Sequence, residues 1–410
     1  MSTALVRVAL VTAMLALLLL AVSCRKDAGG QPERQIPLGE NALSILNRLA
    51  LYREQSGNDP PEYRAAREQA LREARDAMLD SGNSFAERVT IACWLQRMGE
   101  ELPERVIPGL ANEAPGQLEA DPRILFSLAQ LVWSSAQQLA QDPFRWREED
   151  PAARRAELAL SLFRQASDAM PDSALLALTA ASNDFFLTGK LNGTLISWDW
   201  PEEVQSECAS RVKPLLKRFV AAAENHCMTG PPYFTALTNE RSYAPDAAGG
   251  GVYDGSTASS LLPATTVLVL RAMIRDRDVG EMRLVTDAVA RLLELEPQTY
   301  GRVSAAAISA REVAQTLTEA MAGPAKRGTA SDLAVDMRSF HRAIEDNWLN
   351  RYSAEYAKAA QKDYGRARKI EARFVARYLL GMRAKLARIA EFVETLQPED
   401  ILVDAKPAPW

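Results

Sequence analysis

From Glu40 onward the apolar residues recur at helical spacing and nowhere alternate as a strand requires, which restricts the chain to an all-α fold. Leu43, Leu46, Leu49 and Ala50 make the first stripe. Pro60-Pro61 opens a second helix, in which Ala66, Ala70, Ala74 and Ala77 leave room for a close neighbour. Ser84 heads a third, running through Val89 and Trp94 to Gly99. Asp121-Pro122, Asp150-Pro151 and Asp172-Ser173 are further helix starts, each with a capping side chain and two with proline at the first turn. Alanine and leucine outweigh β-branched residues, which favours the same state. Helix and short turn recur about every 30 to 40 residues, so the elements are expected to pair antiparallel. Asp332 to Leu396 reads as one long C-terminal helix, or as a hairpin of two joined near Gly365.

One segment has a more particular spacing. Ala159, Phe163, Ala166 and Pro171 follow the pattern Ala-x3-Phe-x2-Ala-x4-Pro. This resembles the second helix of a tetratricopeptide repeat, in which small residues admit the adjacent helix, the aromatic fills the gap and proline ends the helix. Val285, Val289, Leu292 and Pro297 repeat the spacing without the residue types. The resemblance implies degenerate tetratricopeptide-like helix pairs over residues 40–228, continuing over 263–322, and a concave face that takes an extended peptide or a partner's helix. Fold of this kind does not name the ligand.

The N-terminus has the layout of an export signal. Arg7 precedes an apolar run from Val8 to Val22, broken only by Thr12. Those 15 residues are short for a membrane-spanning helix, which needs about 20, and suit a cleaved signal. Ala21-Val22-Ser23-Cys24 resembles the lipobox of bacterial lipoproteins. That resemblance implies cleavage after residue 23 and diacylglycerol and acyl chains on Cys24. Two or three such chains hold a protein firmly at about 0.8 kcal/mol per buried CH₂. Arg25 stands where an aspartate retains lipoproteins of this class at the inner membrane, so in a diderm host the expected place is the outer membrane, facing the periplasm. Residues 24–39 then form a polar tether.

The formal charge of −5 argues against general nucleic-acid binding. Besides Cys24 there are Cys93, Cys208 and Cys227, without metal-like CxxC spacing. Were residues 202–225 one helix, Cys208 and Cys227 would lie about 28 Å apart, beyond bonding reach. Pro214 leaves a break in that helix, and hence the pairing, open; buried free thiols are the expectation.

Residues 229–262 lack helix signals and are rich in glycine and proline, yet they hold Tyr233, Phe234, Tyr243 and Tyr253. A structureless stretch of this length is usually functional or disordered, and the aromatics favour packing on something. Gly189 to Pro201, with Trp198 and Trp200, is a second irregular stretch, and together these six aromatics are candidates for a partner-binding groove. No Lys-Ser/Thr follows the glycines, as a phosphate loop needs, and no nucleophile elbow surrounds Ser256, Ser259 or Ser260. The histidines are His226 and His341. His341 and Glu345 share a helix face, which is too few ligands for a metal site.

Between residues 361 and 389 there are nine Lys/Arg against two acids. At 100° per residue Lys362, Arg366, Lys369, Arg373 and Arg377 fall within an arc of about 80°, opposite the apolar side. Such a face either is simply solvated or docks on an anionic surface: headgroups, an envelope polyanion or an acidic partner. The chain therefore reads as a lipid-anchored cell-envelope module that binds or scaffolds another envelope protein or peptide, without cofactor or metal and without a catalytic residue to name. The alternative is an envelope hydrolase with its active site under the 229–262 loop.

Overall fold

A computed structural model describes residues 38–52, 60–102, 105–114, 121–142, 145–223, 256–295 and 298–402. Cys24, the signal-like run and the tether up to Pro37 lie outside these residues, as do residues 229–255 of the 229–262 stretch. Helices α1 (Glu40–Leu51), α2 (Pro61–Leu79), α3 (Phe85–Arg97), α4 (Val106–Glu113), α5 (Pro122–Leu139), α6 (Pro151–Ala169), α7 (Ala174–Leu191) and α8 (Glu202–Ala221) come first. They are followed by α9 (Ser256–Arg275), α10 (Arg283–Leu292), α11 (Tyr300–Ala320), α12 (Pro324–Asn347), α13 (Ser353–Ala360) and α14 (Tyr364–Glu394). Among the described residues there is no strand, only one isolated antiparallel bridge between Met321 and Ile401, so the all-α class holds. No helix there is long and apolar enough to cross a membrane.

The capping residues act as their chemistry dictates. Ser84 accepts the Glu87 N–H, and Glu87 returns the bond to the Ser84 N–H, closing a capping box on α3. Asp121 and Ser173 cap α5 and α7 through their side chains. Glu87 also accepts the Gly39 N–H at 2.6 Å, which ties the chain just ahead of α1 to α3. Burial opposes ionisation of Glu87, but the N–H donors of Ser84 and Gly39 outweigh it and hold its pKa below the usual carboxylate value.

Neighbouring helices run antiparallel where cross-links fix their sense. Arg155 near the start of α6 reaches Ser135 near the end of α5, while Phe163 packs edge-on against Phe126 and Trp133. Ala159, Phe163 and Ala166, which carry the repeat-like spacing, are all buried. In α11 and α12, Ser304 meets Glu345 and Gln315 meets Arg338.

Several boundaries differ from the sequence expectation. Residues 256–262, expected to lack helix, belong to α9, which begins at Ser256 and takes Pro263 inside it. Leu262 is buried there, and the Thr265 and Thr266 hydroxyls donate to the Leu261 and Leu262 carbonyls, so packing keeps the turn helical despite the missing proline N–H. Gly189 to Leu191 belong to the last turn of α7, not to a loop. Pro214 sits inside an unbroken α8, exposed to water together with Ser210, whose carbonyl it deprives of a donor. The C-terminal helix starts at Pro324 rather than Asp332, widens into a π-turn at Trp348–Tyr352 and breaks at 361–363, where Asp363 caps α14.

Candidate functional site

Helices α6, α7 and α8 enclose a cleft of about 470 Å³ together with the segment Arg145-Trp146-Arg147. That volume lies within the range of small-ligand sites. The Trp146 N–H donates to the Lys190 carbonyl at 3.0 Å, so the segment is laced to the end of α7. The chain can turn there because of two glycines. A Cβ on Gly189 would come within 2.9 Å of the Thr194 carbonyl, and Gly193 has φ +76°, a left-handed conformation natural only to glycine.

At the base of the cleft Asp184 is buried between two arginines. Arg164 of α6 pairs with one carboxylate oxygen and Arg211 of α8 with the other, Nη2 to Oδ1 at 3.1 Å. Arg211 also bonds Thr188 at 3.2 Å and Glu207 at 2.7 Å. Burial alone would lower the Arg211 pKa; the adjacent Asp184 carboxylate overrides this and raises it. One carboxylate thereby fastens three helices. Beside it, burial pushes the Cys208 thiol up to about 11, so it is no nucleophile at neutral pH.

Higher in the cleft the charges are unspent. Arg145, Arg147, Glu148 and Glu157 line it without an ion-pair partner among the described residues. Leu160, Leu187, Leu191 and Val204 supply an apolar wall. Trp146, 3% exposed, has a buried indole N–H with no acceptor among the described residues. The lining of the cleft thus combines both charge signs with an apolar surface.

No family model, curated protein or solved structure matches this chain.

The aromatics singled out in the sequence separate. Trp200 is buried, packs at 5.1 Å on Phe185 and donates its indole N–H to Thr194, so it holds the turn and is not free to bind a partner. Trp198 is half-buried under the Arg271 guanidinium, 5.2 Å from its ring centre. Tyr233, Phe234, Tyr243, Tyr253 and His226 lie outside the described residues, together with Cys227. Cys93 and Cys208 are buried free thiols.

His341 and Glu345 do share a face, but Glu345 is consumed internally. It accepts the Tyr300 and Ser304 hydroxyls at 2.7 Å each. The Arg311 guanidinium lies 3.4 Å from His341 Nδ1, which places the ring proton on Nε2, facing Glu345 at 3.5 Å. Burial first, and Arg311 second, lower the His341 pKa. Among the described residues no group of three or more His, Cys, Asp or Glu side chains is arranged to hold a metal ion.

The basic stretch of α14 is sorted by the fold. Arg368 pairs with Glu371, while Lys385 and Arg388 share Asp336. Lys362, Arg366, Lys369, Arg373 and Arg377 are all exposed, and none has a carboxylate partner among the described residues. The two acids of the stretch are occupied elsewhere: Asp363 caps α14, and Glu371 turns inward to accept the Tyr300 N–H at the start of α11. Behind the row, Phe374 packs against Tyr300, Trp348, Tyr352 and Tyr378. The cleft has no comparable signal in the sequence beyond the Arg-Trp-Arg run.

Proposed function

We propose that this chain is a lipid-anchored binding module of a bacterial cell envelope, held at the membrane by acyl chains on Cys24, with its ligand seat in the α6–α8 cleft. Its helix pairs serve as degenerate tetratricopeptide-like units, and the ligand is a short segment of polypeptide carrying both charge signs, from another envelope protein. The observation that carries the reading is the cleft itself, in which Arg145, Arg147, Glu148 and Glu157 remain unpaired above a rigid ion-paired base. Helical-repeat surfaces hold extended peptides in this way, and unspent arginines fit carboxylates bidentately. The mixed lining favours a peptide over a simple anion or an apolar ligand.

Two measurements test the two halves of the proposal. Panning a mixed-charge peptide library on the protein should select ligands whose binding falls at least about tenfold in Arg145→Ala/Arg147→Ala, as expected for loss of charge-assisted hydrogen bonds. Selected peptides that bind the variant equally well would place the site elsewhere. Metabolic labelling with a radioactive fatty acid should mark the wild type and not Cys24→Ser; label persisting in the variant refutes the anchor.

A further inference from the structure

We infer that the outer face of α14 is a membrane-docking surface, which lays the helical body on an anionic phospholipid headgroup layer. The inference stands apart from the cleft and does not depend on what occupies it. Arg366, Lys369, Arg373 and Arg377 follow one another along about 16 Å of a single helix, and Lys362 extends the row from the preceding turn. Two features separate this row from an ordinary solvated face. Its charges are left unneutralised in a chain of net charge −5, whereas three of the four other cations on α14, Arg368, Lys385 and Arg388, find carboxylates among the described residues and Arg383 alone does not. The row is also continued one turn further by Leu380, 74% exposed, the most exposed large apolar side chain among the described residues.

Cations alone fit any polyanion. Cations with a solvent-facing leucine on the same arc fit an interface that has phosphates above and acyl chains beneath. Long Lys and Arg stems add to this by lying along apolar surface while their charged ends stay with the phosphates. The remaining, net-acidic surface is repelled by the same lipids, so attraction and repulsion select one orientation.

The test uses the full chain and reads individual lysines. Amine acetylation followed by mass spectrometry is compared on phosphatidylglycerol-containing and on pure phosphatidylcholine vesicles. On the proposed reading the acyl chains on Cys24 bring the protein to both, so the difference between them isolates α14. Lys362 and Lys369 should be protected only on the phosphatidylglycerol vesicles, while Lys217, exposed on α8, reacts equally on both. Each basic residue at such a surface contributes on the order of fivefold in affinity. Arg366→Gln/Arg373→Gln/Arg377→Gln should therefore need on the order of a hundredfold more anionic lipid for the same protection. In about 1 M salt, where charges are screened beyond about 3 Å, protection should disappear. Equal protection on both vesicles, or protection unchanged in the triple variant, overturns the inference. So does protection by soluble polyglutamate with none by the anionic vesicles, an outcome that gives the face to an acidic polypeptide instead.

Discussion

The base of the cleft and the outer face of α14 are both built around arginine, and they treat its charge in opposite ways. In the cleft, Arg164 and Arg211 converge on one buried carboxylate, and the three helices they join depend on it. On α14, Arg366, Arg373 and Arg377 are turned to water while the neighbouring acids are used for a cap and for the start of α11. An ion pair taken out of water is structural, because breaking it strands a charge; an exposed one contributes little. The first set of arginines is therefore for the fold and the second is available for something outside it.

The largest effect should come from the inner side of α14. Phe374 is fully buried among four aromatic rings, so Phe374→Ala should cost about 3–5 kcal/mol in urea denaturation, as cavity-forming aromatic truncations do. A loss below about 1 kcal/mol would mean that the ring cluster does not anchor the helix. Next comes the cleft. Asp184→Ala should cost about 2–4 kcal/mol, less than a fully buried pair because both guanidinium groups retain some water. A near-neutral result would erase the contrast between the two arginine sets.

A smaller effect concerns pH. The His341 pKa is lower in the folded protein than in the unfolded chain, because of burial and then of Arg311. The unfolded chain therefore takes up the proton first. This contribution to stability is present above the unfolded value, about 6.5, and is lost as pH falls through the folded one. His341→Gln should flatten the decline of stability below about pH 6.5. An unchanged slope would place the titrating group elsewhere. Smallest of all, Arg373→Gln, one residue from Phe374, should change stability by no more than about 0.5 kcal/mol. A larger loss would show that the outer row supports the fold after all.

Much of the helical plan was legible because caps and period are local. Ser84, Asp121 and Ser173 cap where their spacing indicates, and Asp150-Pro151 opens α6, although the Asp150 carboxylate accepts the Arg147 N–H and does not cap the helix. The misplaced boundaries fall where burial overrides a local breaker. Residues 256–262 read as loop, with the helical region opening at Pro263, yet that proline lies inside α9 beside the packed Leu262. Trp200 looked like a ligand contact because nothing in the sequence reveals that Phe185 covers it.

By itself the sequence determined the all-α class, most helix starts, the lipobox-like Cys24 motif and the basic periodicity of α14, since each depends on residues within a few turns of one another. Only the tertiary structure decided which charges are spent. Asp184 reaches Arg164 and Arg211 from separate helices, twenty and twenty-seven residues away along the chain. A charge is neutralised by whatever packing brings within a few ångströms, and separation along the chain does not set that distance.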